Sequence, residues 1–142
     1  MLGLVGKPFL RERNRGLAEM TEIRLPHMHG QNFAAVVEQM PPADDCTRVA
    51  EIFRLLGDGT RLRLLWLLCH GCECVSNLAA AMAMSNAAVS HHLQLLRRSG
   101  LIISQRTGKE IYYTLADTLE ARLIHQAIDE MFRIKCPNRR EG

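Results

Sequence analysis

The sequence has no long apolar run and almost no excess charge of either sign. Lys7 and Pro8 interrupt the apolar stretch at its start, which leaves that stretch too short for a secretory signal or a membrane span. Lysine and arginine number 18 against 15 acidic residues, a formal net charge of +3, so a histone-like basic coat is excluded. We therefore expect a cytoplasmic protein with no membrane partner.

Repeats, low-complexity linkers and a glycine-rich phosphate-binding loop are also missing. The cysteines number five. An odd number without a secretory signal argues against a fully paired disulfide scaffold and favours thiols that serve metal or redox chemistry. A cysteine enzyme is disfavoured because no βαβ pattern surrounds the cysteines, and we expect no small organic substrate.

The length of 142 residues, 47% of them hydrophobic, is enough for one domain with a tail. We expect a poorly ordered N-terminal arm at residues 1–30 and a single domain at residues 31–142. Met20 and Met28 are alternative starting residues to Met1, which would shorten the arm.

Apolar residues at helical spacing predict a mainly α domain. The second helix is expected to turn Val49 and Phe53 inward, together with Ile52, Leu55 and Leu56, and the third is expected to be the central buried helix. Gly57, Gly71 and Gly100 are natural breaks. The predicted helices cover residues 31–40, 44 or 45 to 56, 60–69, 75–84, 85 or 86 to 98, and 117–132.

A change of period after the fifth helix predicts a β-hairpin. Residues 101–106 and 111–115 are β-prone, and a turn at residues 107–109 separates them. A hairpin that directly follows a helix-turn-helix is a winged helix. We expect Asp58 and Ser85 to cap the helices after them, and Asp117 to begin the last helix in a capping box with Glu120.

Positive charge is concentrated in residues 85–110, which hold four basic residues and one acidic residue. This window carries the net charge of the whole chain, as expected for nucleic-acid contact, although a solvated face would give the same pattern. Polar groups near the start of the fifth helix suit a major groove, and the hairpin tip suits a minor groove or the phosphates. The predicted DNA contacts are Ser85, Asn86, Ala87, Ser90, His91, Gln94, Arg97, Arg106 and Lys109.

The neighbouring His92 has a second interpretation, which is to fill a half-buried gap, and we favour it. The last predicted helix carries two adjacent apolar rows, more than one small domain needs. Packing on its own core is the alternative to burial against a second subunit. We expect a homodimer, with an interface made by Leu119, Leu123, Ala127, Ile128 and Met131.

Four segments, residues 56–65, 74–79, 84–93 and 108–115, resemble the ArsR/SmtB metalloregulatory repressors. The run Ala88–Leu93 together with the pair Tyr112–Tyr113 is specific in combination, and the resemblance covers roughly residues 46–133. It implies a homodimeric winged-helix repressor whose first and last helices form the dimer interface. It also implies binding to double-stranded operator DNA and release when a metal or metalloid binds.

One metal site that the resemblance implies lies on the last helix, and the sequence departs from it. The four ligand positions are occupied by Asp117, Leu119, Glu130 and Arg133. Leucine has no donor atom and arginine repels a cation, so we expect that site to be absent or rebuilt. His125 and Asp129 are four residues apart and could bind a metal from one helix face, or simply form a surface hydrogen-bonded pair.

The other implied site uses thiolates before the first helix of the helix-turn-helix. Cys74 matches the family motif, Ser76 replaces its second cysteine, and Cys72 adds a thiol two positions upstream. With Cys69, three thiols fall within six residues. We predict that they bind a thiophilic ion, Cd, Pb, Zn or As(III), as an inducer. Candidates for a fourth ligand are Cys46, Cys136, His27 and His29.

The main alternative is a repressor of the same fold that senses thiol oxidation or persulfides through these cysteines. A winged helix used only for protein contacts and a cysteine enzyme are more distant alternatives.

Overall fold

The computed structural model describes residues 24–27, 29 and 32–135. Most of the predicted arm at residues 1–30 lies outside this part of the chain, as do Met20, Met28 and Cys136. The chain divides into two compact units, Met1–Pro42 and Ala43–Gly142. In the first unit a six-residue helix, α1 (Phe33–Glu38), confirms the predicted first helix with shorter bounds.

The second unit contains the elements that the sequence predicts, in the predicted order, with one additional strand. A mainly helical fold with a hairpin wing is confirmed. Among the described residues, no helix has the length and apolar character needed to cross a membrane. The elements are α2 (Ala43–Leu56), α3 (Gly59–His70), β1 (Glu73–Cys74), α4 (Val75–Met82), α5 (Asn86–Arg98), β2 (Ile102–Thr107), β3 (Glu110–Leu115) and α6 (Leu119–Lys135).

Leucines at three- and four-residue spacing make α3 the centre of the core, as predicted. They pack with one face of α5, with α4 and with the inner side of the sheet, because residues at this spacing share one side of a helix. This packing fixes the orientation of α5 and leaves its opposite face to solvent. The most deeply buried side chains are Leu64, Leu65, Leu68, Leu78, Val89, Leu93, Leu96, Leu101 and Ile102.

Two of the three predicted helix caps are confirmed. The Asp58 carboxylate accepts a hydrogen bond from the backbone N–H of Arg61 at 2.9 Å, and this bond lowers the pKa of Asp58 below its ordinary value of 3.8. The Ser85 hydroxyl accepts from the N–H of Ala88 at 3.1 Å. Each cap satisfies a donor that the first helical turn leaves unpaired.

The predicted capping box at Asp117 was wrong. The helix α6 begins two residues later, and the Thr118 hydroxyl accepts from the N–H of Ala121 at 3.2 Å. The hairpin accounts for the shift, because the N–H of Ala116 still donates to the carbonyl of Leu101 at 2.9 Å. The chain therefore leaves the sheet only after Ala116, too late for Asp117 to cap the helix.

The wing belongs to a three-stranded antiparallel sheet in the order β1-β3-β2. The strand β1 was not predicted, since two residues are too few to show an alternating pattern. Its residues pair in register with β3, Glu73 opposite Tyr113 and Cys74 opposite Tyr112. This pairing ties the cysteine-containing segment directly to the wing.

The helix α2 buries less of its apolar surface than the sequence predicts. Ile52, Leu55 and Leu56 pack against the core, but Val49 and Phe53 are 53% and 64% exposed. Val49 and Phe53 are four residues apart and so share a stripe that points away from this core. Their inward placement within the protomer was therefore wrong.

The turn of the helix-turn-helix contains a strained residue. Ala83 ends α4 with φ 53° and ψ 46°, a left-handed conformation that costs a non-glycine residue about 1–2 kcal/mol. Ala83→Gly removes this strain from the folded state. Part of the stabilisation is lost again, because glycine gives the unfolded chain more conformational freedom. We expect the free energy of unfolding to rise by about 0.5–1 kcal/mol.

Urea denaturation at a fixed protein concentration measures this effect. The matched control is Ala80→Gly, an exposed position inside α4, which we expect to destabilise by about 1 kcal/mol. Equal losses of stability in the two variants would contradict the assignment of strain to Ala83.

Candidate nucleic-acid interface and metal-binding residues

The helix α5 presents a polar face to solvent. Its opposite side, made by Val89, Leu93 and Leu96, is fully buried. Of the predicted DNA contacts on and next to this helix, Ser90 is half-buried and the others are exposed: Ser85, Asn86, Ala87, His91, Gln94 and Arg97. The exposed set lies along one face of a helix whose start is free of acidic residues, as DNA contact requires.

Two contacts fix the start of this face. The amide Nδ2 of Asn86 lies 3.4 Å from the hydroxyl of Ser76 on α4, to which it donates, so the two helices are joined across the turn. The Ser85 hydroxyl accepts the capping bond from Ala88 and keeps its own proton to donate. The placement of Asn86 therefore depends on the position of α4.

His92 is half-buried, as predicted, and its Nδ1 atom is one of the buried polar atoms in the described ranges that make no hydrogen bond. Its ring lies 5.8 Å from that of His91, measured between centroids. His91 is therefore the exposed member of the pair.

The wing carries its basic residues at a tight turn. Thr107 pairs with Glu110 across a two-residue loop, and Gly108 supplies the positive φ of 64° that such a hairpin turn needs at its first position. Lys109 is exposed at the tip. Arg106 is exposed as well, and its Nε donates to the carbonyl of Gly108 at 3.4 Å.

The cysteine segment spans several environments. Cys69 is half-buried in α3, Cys72 is exposed, and Cys74 is only 8% exposed. Within the described ranges, the three-ligand group whose donor atoms all lie within 4.8 Å of one another contains none of these thiols. The predicted convergence of the three sulfur atoms is thus not formed in this protomer, because strand pairing holds Cys74 beside β3 while Cys69 belongs to α3. Their role as ligands stays a prediction.

The thiol of Cys69 differs from an ordinary cysteine. Burial, and then the negative charge of Asp129, raise its pKa to about 11. The thiol is therefore protonated at neutral pH, and an ion that recruits it must displace that proton. Cys46, a candidate fourth ligand, is exposed on α2.

The group with converging ligand atoms consists of His70, His125 and Asp129. Nε2 of His125 lies 3.1 Å from Oδ2 of Asp129, and Nε2 of His70 lies 3.7 Å from Oδ1. The pairing of His125 with Asp129 was predicted from their spacing on α6. His70 was missed, because it lies at the end of α3 and sequence spacing carries no signal of a contact between distant helices.

The helix α6 keeps an apolar row on its surface. Leu119, Leu123 and Met131 are 63%, 56% and 63% exposed, and Ala127 between them is also exposed. Ile128, expected at the dimer interface, is 6% exposed and packs in the core of its own protomer. It lies on the opposite side of the helix from Leu119 and Leu123, so its assignment to the interface is corrected.

A helix-turn-helix that exposes a polar second helix and is followed by a basic-tipped hairpin defines a winged helix-turn-helix DNA-binding protein. Residues 58–104 match the family described as "Bacterial regulatory protein, arsR family". The chain is 36% identical over 113 residues to the transcriptional repressor SmtB homolog of Synechocystis, an alignment that covers 80% of this chain and 86% of that protein. The chain therefore belongs to the arsR family and is a transcriptional regulator.

Two further similarities agree with this. The arsenical resistance operon repressor of Escherichia coli is 38% identical over 84 residues, 58% of this chain and 71% of that protein. The solution structure of a homodimeric winged helix-turn-helix domain from Mycobacterium bovis, described as a possible ArsR-family regulator, aligns with a TM-score of 0.57 at 27% identity. That alignment covers 77% of this chain and 94% of the other.

Proposed function

We propose that this protein is a homodimeric repressor that binds operator DNA through α5 and the wing and releases it when a thiophilic ion binds Cys72 and Cys74, with Cys69 as a further ligand. The observation that carries the proposal is the position of Cys74. This residue is the N-cap of α4 and also pairs with Tyr112 of the wing strand β3.

The DNA-binding half of the proposal is supported by the exposed face of α5. Gln94 and His91 offer groups that can bond to base edges, and the start of the helix favours a phosphate. Arg106 and Lys109 extend the positive surface to the wing. Phosphate contacts of this kind position a protein on DNA, whereas base contacts select the sequence.

The ion-sensing half is supported by how Cys74 connects the two reading elements. An ion held by Cys72 and Cys74 would pull on the N-cap of α4 and on the β1–β3 pairing together. Since Asn86 of α5 bonds to Ser76 of α4, a shift of α4 also moves the recognition helix. The name of the Escherichia coli relative, an arsenical resistance operon repressor, supports As(III) as one of the ions to test.

Gln94→Ala tests the recognition helix. Losing a base contact costs roughly 1–3 kcal/mol, so we expect at least about a fivefold loss of affinity for the preferred sequence and little change for unrelated DNA. Lys109→Ala should instead weaken binding to all sequences and lower the slope of log affinity against log salt concentration by about 1.

Fluorescence anisotropy with a site selected from random-sequence DNA, read at several salt concentrations, measures both effects. Gln126→Ala, which alters an exposed glutamine on α6, is the matched control and should bind like the unaltered protein. Wild-type affinity of Gln94→Ala for the selected site would count against α5 as the reading helix.

A further inference from the structure

We infer that His70, His125 and Asp129 form a second cation site, separate from the cysteine segment and contained within one protomer, that binds Zn²⁺ or a similar divalent ion such as Co²⁺. The site connects the end of α3 to the middle of α6. It uses none of the four positions, Asp117, Leu119, Glu130 and Arg133, that the family resemblance gives.

The distances suit a single ion. Ligand atoms around a tetrahedral Zn²⁺ lie about 3.4 Å apart, because each metal–ligand bond is roughly 2.0–2.2 Å long. Oδ2 of Asp129 lies 3.1 Å from Nε2 of His125. The other carboxylate oxygen, Oδ1, lies 3.7 Å from Nε2 of His70. The two imidazole rings meet edge to face, with centroids 5.1 Å apart and planes at 85°. Small side-chain adjustments therefore suffice to bring all three ligands onto one ion.

The hydrogen bonding of His70 prepares it as a ligand. Its Nδ1 lies 2.7 Å from the backbone carbonyl of Trp66, and a carbonyl oxygen can only accept. When the ring is neutral its proton must therefore be on Nδ1, which leaves the lone pair on Nε2 directed toward Asp129. A backbone carbonyl behind a histidine ligand is a common arrangement in metal sites, since it fixes both the tautomer and the ring orientation.

The environment of the His125 side chain is an independent observation in favour of a cation. Its Nε2 has almost no accessible surface, and within the described part of the chain it makes no hydrogen bond, although Oδ2 of Asp129 is 3.1 Å away. The nitrogen therefore lies close to the carboxylate but outside hydrogen-bond geometry. A buried polar atom without a hydrogen bond is costly, and a cation would give this nitrogen a partner.

The surroundings allow an ion to enter and determine its type. His70 and Asp129 line an open cleft of about 940 Å³ whose walls include Trp66 and Phe132. Two imidazole nitrogens and a carboxylate suit Zn²⁺, Co²⁺ or Ni²⁺, whereas As(III) and Pb²⁺ favour thiolates. Three protein ligands leave one tetrahedral position, which a water molecule can occupy.

Cobalt titration of a Cys72→Ser, Cys74→Ser double variant tests this inference without the thiolate site. We expect one equivalent of Co²⁺ to bind and to give visible d–d bands. Adding His70→Gln or Asp129→Asn should remove those bands and weaken Co²⁺ binding at least tenfold. Replacing a residue that only hydrogen-bonds to a metal ligand already lowers metal affinity by about tenfold or more, and replacing a ligand should cost at least as much. His91→Gln and Glu120→Gln, exposed residues of matching chemistry outside the cluster, should leave both unchanged.

Thermal unfolding guards against misfolded variants. Zn²⁺ should raise the Tm of the double variant and of both controls, but not that of the His70→Gln variant. The His70 side chain is partly exposed, so its replacement should leave the fold intact. Absence of Co²⁺ binding in the double variant, or unaltered binding after both His70→Gln and Asp129→Asn, would overturn the inference. Neither result bears on operator release by As(III) in the unaltered protein, because As(III) favours thiolates and so tests the cysteine segment alone.

Discussion

Replacing Cys72 and Cys74 together with serine should abolish the release of operator DNA by thiophilic ions while leaving metal-free operator affinity within about twofold of wild type. For the unaltered protein we expect As(III) or Cd²⁺ to lower operator affinity by about 100-fold, which corresponds to a coupling free energy of roughly 2.7 kcal/mol. The double variant should show no such change. Basal binding is preserved because serine is close to cysteine in size and neither residue lies on the exposed face of α5.

The expected size of this effect follows from where the thiols attach. An ion gains its coupling energy only from contacts that differ between the DNA-bound and released states. Cys74 is the N-cap of α4, which is joined to α5 through Ser76 and Asn86, and it pairs with Tyr112 of the wing. A small displacement there therefore reaches both elements that we propose to contact DNA. An ion bound elsewhere on the surface would have no comparable connection.

Anisotropy titrations with Cd²⁺, Pb²⁺, Zn²⁺ and As(III) under anaerobic reducing conditions provide the measurement. Cys46→Ser is the control: it removes an exposed thiol on α2 and should keep the As(III) response, for which three thiolates suffice. A double variant that still responds normally would disprove the assignment. Release only after oxidation, with a matching loss of countable thiols, would favour the redox alternative.

Local signals account for the parts of the fold that were predicted correctly. The caps at Asp58 and Ser85, the glycine at position 108 and the spacing of the buried leucines each act within a few residues. The errors arose where a distant segment decides the outcome. The strand β1 exists only because β3 pairs with it, and the end of the hairpin at Ala116 delays α6 beyond Asp117.

The same contrast between local signals and contacts with distant segments applies to the candidate sites. The exposed face of α5 could be predicted because one helix contains both its buried and its polar side. The spacing of Cys69, Cys72 and Cys74 indicated a single metal centre, but their three sulfur atoms do not converge in this protomer. The cluster around His70 needs α3 to pack against α6, a tertiary contact that no short motif encodes.

The exposed apolar row on α6 should hold two subunits together, and Leu119→Glu with Leu123→Glu should separate them. These two side chains are 63% and 56% exposed in the protomer, a large apolar area for a terminal helix to leave in water. Burying one leucine contributes about 1.5–3 kcal/mol. Each of these leucines has more than half of its surface left to bury, and a dimer loses four of them, two per subunit. The loss should therefore cost at least about 3 kcal/mol, a rise of roughly 150-fold in the dimer dissociation constant.

Sedimentation equilibrium over a range of protein concentrations measures this constant directly. Ile103→Glu provides the control, because Ile103 is an apolar residue of similar exposure that lies on the wing strand β2 rather than on α6. That variant should stay dimeric. Since a dimer contacts two half-sites and a monomer only one, the α6 variant should also lose operator affinity, and the loss should lessen as its concentration rises. A monomeric wild-type protein, or an α6 variant with an unaltered dissociation constant, would show that this row serves another purpose.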